Sequence, residues 1–353
     1  MNLITERKEK TMNRILRCLG AIAVLGAAFL LGPNLAIAAD KIVLGMPVKP
    51  PPLVHLPVYY AIDNGIFKKN GLEVEVKFFR GGVATHRAAT SAKSGLDVAW
   101  VPAPIAMTGI SKGSGLKIFH SMAFLFEAQL ATAPGIDTPQ KLRGKTIGIE
   151  GRGGYSHLGV RAVLGPAGVS DDEVKYMKTP PPARVPFLVE GKADAVLIHV
   201  EQVFLAQKLR PGVVALANLW RSRPKYFYGV FIAFETKLKS NRDVYVRFAV
   251  AMMQSNRAIY KDKAGFTESA AKWSKAVYKK HADITSNTYD IFVKDRIWSV
   301  NNGMPRATVK WTNEFNTSLK KYKGAAPSYG DLIDQGIAKD ALAKAGEVSP
   351  SEK

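Results

Sequence analysis

A chain of 353 residues that is 47% hydrophobic can bury a large core, and its length points to two domains. Its 50 Lys/Arg against 29 Asp/Glu give a net charge of +21, but the basic residues are scattered from Lys41 to Lys353 with no tight stripe or binding motif, so nucleic acid is not an expected partner. The single cysteine, Cys18, lies so far upstream that the remaining chain is expected to hold no disulfide, thiolate nucleophile or cysteine-ligated metal.

Residues 1–38 read as an N-terminal extension followed by a signal peptide. MNLITERKEKT is charged and fits no targeting pattern. From Met12 the order is a basic MNRILR, an apolar LGAIAVLGAAFLL and a small-residue site, Ala36-Ile37-Ala38. The apolar run is short for a membrane span, and nothing later reaches that length. Export to the periplasm with cleavage near Ala38 is expected. Cleavage removes five Lys/Arg and two Asp/Glu, leaving a net charge of +18.

From Lys41 strands and helices alternate. KIVLGM (41–46) is a short apolar run, and PVYYAIDNGIFKKNG (57–71) has a helix-compatible start at Pro57 and a stop at Gly71. LEVEVKFF (72–79) alternates apolar and charged residues, the period of a strand. After Arg80-Gly81-Gly82, VATHRAATSAKS reads as a helix closed by Gly95, DVAW as a strand, PIAMTGI as a helix and LKIFHSMAF as a strand. The pattern restarts at TIGIE (146–150), with YSHLGVRAVL a helix, VKYMK a strand, PFLVEGK a helix end, ADAVLIH a strand and VEQVFLAQKL a helix. Beyond FYGVFIAFE (227–235) the spacing is helical. Interleaving of this kind implies α/β architecture with mostly parallel sheets built from βαβ units. Segments near 128–136 and 222–235 read as two crossings, placing one lobe at 40–128 plus 233–353 and the other at 129–232.

Two echoes link the halves. RGGVATHRA (80–88) and RGGYSHLGVRA (152–162) each follow a predicted strand and open a predicted helix. SGLDVAWVP (94–102) and EGKADAVLIHV (190–200) both run from Gly through Asp into a buried strand; aligned on Asp97 and Asp194, Trp100 faces Leu197 and Pro102 faces His199. A glycine-rich strand–helix corner exposes free amides and the positive end of a helix dipole, which suits an anion or an acceptor-rich ligand. Thr85 and Ser156 add hydroxyls, either for a ligand or to cap the helices. Aromatic residues near element ends (Tyr59, Trp100, Phe124, Phe126, Tyr155, Tyr228) suit a flat-sided slot for a planar ligand as well as a core.

Nucleotide motifs fail on inspection. In GRGGYS the third glycine of GxGxxG is Ser156, and in GYSHLG the Lys-Ser/Thr of a P-loop is replaced by Val160-Arg161. His199-Val200-Glu201 lacks the downstream PCxxC of zinc deaminases, no HExxH occurs, and no GxSxG elbow presents a serine. No catalytic set, cofactor or metal site is expected.

PVYYAIDNGIFKKNGLEVEV, the FRGG corner, SGLDVAW, LRGKTIGI and EGKADAVLIH, in that order over about 40–235, resemble the substrate-binding proteins of ABC importers, of the nitrate/sulfonate/taurine and pyrimidine-precursor branch. The resemblance implies a type II periplasmic-binding fold of two lobes closing over one solute. It also implies a monomeric, non-enzymatic protein that delivers a small molecule to a permease and its ATPase. Ligand positions carried over are His55 and Tyr59 after the first strand; Gly82, Val83 and Thr85 at the first corner; and Trp100 and Pro102 at a strand end. Gly154, Tyr155, Ser156 and His199 would come from the second lobe, with Phe126 and Glu127 beside a crossing. Glu201 would either meet a polar ligand group or cap the helix that follows. The implied solute is a small organic molecule, an aromatic, sulfonate or carboxylate anion, although Glu127 in a cleft would oppose a simple anion. The proline-rich loops PVKPPP and TPPPAR match neither branch. A pyrimidine-precursor synthase on the same fold and a solute-loaded partner of a signalling receptor are the alternatives.

Overall fold

The computed structural model describes residues 39–274 and 280–349, so the leader, its cleavage site and Cys18 lie outside the described residues. The described strands, in chain order, are β1 (Asp40–Met46), β2 (Leu72–Phe78), β3 (Val98–Pro102), β4 (Leu116–Leu125), β5 (Gln129–Thr132), β6 (Thr146–Ile149), β7 (Lys175–Lys178), β8 (Ala195–Ile198), β9 (Val214–Asn218) and β10 (Phe227–Phe234). They form two five-stranded sheets, ordered β2-β1-β3-β10-β4 and β7-β6-β8-β5-β9, within one compact unit that begins at Ala39.

Each sheet has a parallel half and an antiparallel half. β2, β1 and β3 run parallel, as do β7, β6 and β8, because crossover helices return the chain to the same end. β10 then pairs antiparallel with β3 and β4, and β5 with β8 and β9. The sheets are therefore more mixed than strand–helix alternation implies. Two segments expected as crossings contain strands: β5 lies within 128–136 and β10 within 222–235. β10 is a central strand with both faces covered (Phe227 to Ala233 are all buried), and such a strand reads as an unbroken apolar run without a period. The chain passes between the sheets after β4 and again before β10. The helix expected over 57–71 is two, Leu56–Asp63 and Ile66–Lys69, and that expected over 83–94 is Gly82–Ala89 followed by a short 3-10 turn.

The second echo is a structural equivalence. β3 and β8 hold the same place in their sheets, and the aspartate before each performs the same task. Asp97 Oδ2 accepts the Val43 amide (2.9 Å) while its own N–H donates to Val43 O (2.9 Å). Asp194 Oδ2 accepts the Thr146 amide (2.8 Å) while its N–H donates to Thr146 O (2.8 Å). Pro102 and His199 are then the residues from which the next helices, Ala103–Ser111 and Val200–Leu209, start. The RGG corners are not equivalent in this sense: the first follows the edge strand β2, the second follows β6, whose counterpart is β1.

The first sheet packs its aromatic face (Phe119, Phe231) against Phe248 and Tyr245 of the long helix Arg242–Ile259. Asn256 of that helix donates to Met122 O (2.9 Å) and Ser299 O (2.6 Å) inside the core. The C-terminal helical part also reaches the second sheet's side: helix Ala282–Lys294 packs on Val200–Leu209, and Asp295 accepts from Trp220 Nε1 (2.7 Å). No helix among the described residues is long and apolar enough to cross a membrane.

Replacing a carboxylate that accepts a half-buried strand amide leaves that donor unsatisfied, at a cost of about 1–3 kcal/mol. Asp97→Ala and Asp194→Ala are each expected to lower stability by that amount in urea titrations, with unchanged m-values.

Candidate functional site

A cavity of about 500 Å³ lies between the two sheets, at the carboxyl ends of the parallel strands, where ligands sit in open α/β sheets. The first sheet supplies the proline loop Pro47–Pro52 after β1, His55, Gly81 and Gly82 after β2, Trp100 and Pro102 of β3, and Tyr228 of β10. The second supplies Glu150 after β6, Tyr155, a second proline loop around Pro181, Pro182 and Pro186 after β7, Arg184, and His199 after β8. Five rings form an aromatic box. The centroids of His55 and Trp100 are 4.2 Å apart, Trp100 meets Tyr228 edge-on at 5.3 Å, and Tyr155 stacks on His199 at 5.6 Å. Trp100 can lie flat in the wall because Gly229 behind it has no Cβ; one there would run into the indole ring.

The polar groups around this box are taken out of water. Glu127, fully buried, accepts the Val200 amide (2.7 Å) and contacts His199 Nδ1 (2.8 Å). Burial raises the Glu127 carboxyl well above its usual range and lowers His199 and His55, so desolvation favours the neutral form of each. With its proton on Nδ1, His199 leaves Nε2 to accept from the Tyr155 hydroxyl (3.4 Å). Glu201 reaches across from the second sheet's side and accepts the Leu53 amide (3.2 Å); burial first, then the proximity of a second carboxyl, Glu127, push it up to about 7. Two buried donors of residues that line the cavity, Trp100 Nε1 and Arg184 Nε, have no hydrogen-bond partner among the described residues.

Of the expected positions, His55, Gly82, Trp100, Pro102, Tyr155 and His199 line the cavity. The others do not. Tyr59 is turned into the core against Trp273, with ring centroids 4.8 Å apart. Val83 faces outward, 42% exposed. Thr85 donates to Gly81 O (3.0 Å) and Ser156 Oγ accepts the Glu150 amide (2.9 Å), so both hydroxyls hold their turns together. Phe126 supports the wall from behind, stacked on Tyr228 at 5.1 Å. Glu127 is covered by its bonds to His199 and Val200, and Gly154 lies against the Glu150 carboxyl. Glu201 does not cap its own helix; His199 and Gln202 form that cap.

The proline loops, Glu150, Arg184, Gln202 and Ser274 also belong to the cavity and were not singled out as site residues. The loops carried a signal, as runs of prolines following β1 and β7 that no family pattern explained. Arg184 and Glu150 carried none: only the fold brings them to 3.1 Å. Among the described residues no group of three His, Cys, Asp or Glu side chains is placed to hold a metal ion.

Two mixed sheets facing one cleft define the periplasmic-binding-protein fold. Residues 53–264 match the family described as NMT1/THI5 like, and the chain belongs to that family. Among solved structures, a protein of Bordetella bronchiseptica RB50 is similar over 88% of this chain and 99% of its own, with a TM-score of 0.72 at 16% identity. The ligand-binding component of an ABC-type import system from Staphylococcus aureus, with zinc bound, is similar over 86% of this chain and 99% of its own (TM-score 0.69, 14% identity). The alkanesulfonate-binding protein SsuA from Xanthomonas axonopodis pv. citri, bound to MOPS, is similar over 85% of this chain and 99% of its own (TM-score 0.64, 13% identity). At these identities the likeness is one of fold. No curated protein matches the chain.

The raised Glu201 makes a definite contribution to stability against pH. Its carboxyl titrates at about 7 when folded against 4.5 unfolded, so the folded chain holds a proton that the unfolded chain releases between those values. The stability this adds is full below about pH 4.5 and is lost as pH rises through 7. Glu201→Gln should therefore be more stable than the parent at pH 8 by on the order of 3 kcal/mol, with the gap closing towards pH 5 in paired denaturant titrations.

Proposed function

We propose that the protein is the solute-binding component of an ABC import system. It is exported to the periplasm, captures a planar organic solute in the cleft between its sheets, and hands it unchanged to a membrane permease driven by an ATPase. The observation that carries this reading is the box of His55, Trp100, Tyr155, His199 and Tyr228, drawn from both sheets around a cavity of about 500 Å³, a volume suited to one small molecule. Aromatic walls favour a flat ring, and the proline loops add apolar surface to the lining. The family and the ABC-import components that share the fold support the same role.

Titration of the mature protein with planar heteroaromatic solutes should quench tryptophan fluorescence and raise the melting temperature. Saturation a hundredfold above Kd corresponds to about 2.7 kcal/mol of added stability. Trp100→Ala and Tyr155→Ala should each weaken binding about tenfold, through lost ring contact worth roughly 1–1.5 kcal/mol. Mass spectrometry should recover the solute unaltered. A folded protein that ignores the whole panel, or converts a bound solute, would count against this reading.

A further inference from the structure

The two glycine corners face one another across the cleft, and a side chain of the protein itself stands between them. Glu150 leaves the end of β6 and turns its carboxyl onto the start of helix Tyr155–Leu164, where Oε1 accepts the Tyr155 amide at 2.6 Å. Oε2 accepts from Arg184 Nη2 at 3.1 Å. The same carboxyl reaches the opposite corner: a Cβ placed on Gly81 would lie 3.3 Å from Oε2, and one on Gly154 would collide with Oε1. Arg184, a cavity-lining residue, is 3% exposed, stands over the Tyr155 ring at 5.5 Å, and has its Nε buried without a partner among the described residues.

A helix-start amide and a buried guanidinium are donors that suit a free carboxylate or sulfonate; Gly81 and Gly154, whose own amides are bonded to Pro47 O and Gly151 O, leave room for it by lacking a Cβ. Here an internal carboxylate already sits in that place. We propose that Glu150 is a specificity-determining residue: it fills the oxyanion position between the two corners, so that the cleft rejects small oxyanions and accepts uncharged, largely apolar planar solutes. A second anion beside Glu150 meets like charge as well as occupied space, and such juxtaposition costs several kcal/mol. Arg184 is neutralised by Glu150 through Nη2. The inference rests on the reading of the cleft as a solute site.

The test is rescue by a free anion. Glu150→Ala and Glu150→Ser empty the position and should melt below the parent. Methanesulfonate or formate, at ionic strength matched with chloride, should restore the melting temperature of both variants and bind them at least about tenfold more tightly than the parent. The parent should show no stabilisation beyond chloride. Equal oxyanion stabilisation of parent and variants, or none in either variant, overturns the proposal, and a variant that is destabilised and not rescued counts as the latter. A parent that ignores planar solutes while its variants gain methanesulfonate overturns the planar-solute reading and leaves the role of Glu150 standing.

Discussion

A carboxylate removed from water must find donors, and three of them organise this cleft. Glu127 takes the Val200 amide, Glu150 the Tyr155 amide and Glu201 the Leu53 amide. Two of these amides lie at helix starts, where unbonded N–H groups need an acceptor. Each bond also fixes a junction. Glu127 ties the first crossing to the helix after β8, Glu150 ties the end of β6 to the helix that opens at Tyr155, and Glu201 ties that side of the molecule to the loop after β1. The aromatic box is placed by these bonds: Tyr155 and His199 sit at the helix starts that Glu150 and Glu127 hold, and His55 follows directly on the loop that Glu201 holds.

The two halves are related, though not through the most visible likeness in the sequence. The RGG corners look alike yet follow strands of different rank, and the proline loops are exchanged in the same way, one after β1 and one after β7. Each side thus contributes one glycine corner and one proline loop, arranged diagonally. The quieter likeness around Asp97 and Asp194 marks the true equivalence, because an aspartate that closes onto the neighbouring strand is demanded by the same local geometry in both sheets.

Alternating and interrupted patterns were legible. LEVEVKFF shows its strand by period, and the apolar runs ending at Gly or beginning at Pro show their helices. β5, β9 and β10 were not: β5 and β10 are buried on both faces and show no period, and β9 sits between segments read as a helix and a crossing. At the site, residues at strand ends on the parallel halves (Trp100, Pro102, His199) were legible, since position along the chain places them at the cleft. Tyr59, Phe126 and the hydroxyls of Thr85 and Ser156 were legible only as neighbours of the cleft. Which way a side chain turns at a corner depends on what packs behind it.

By itself the sequence determined the α/β class, the strand-end corners and the likeness of the segments around Asp97 and Asp194, all of which follow from local spacing and residue type. Only the tertiary structure decided what fills the corners. Glu150 and Arg184 are thirty-four residues apart, and neither carries a local pattern. Their pairing exists because parallel strands β6 and β7 deliver both to the same end of one sheet, where burial obliges a charge to find its partner.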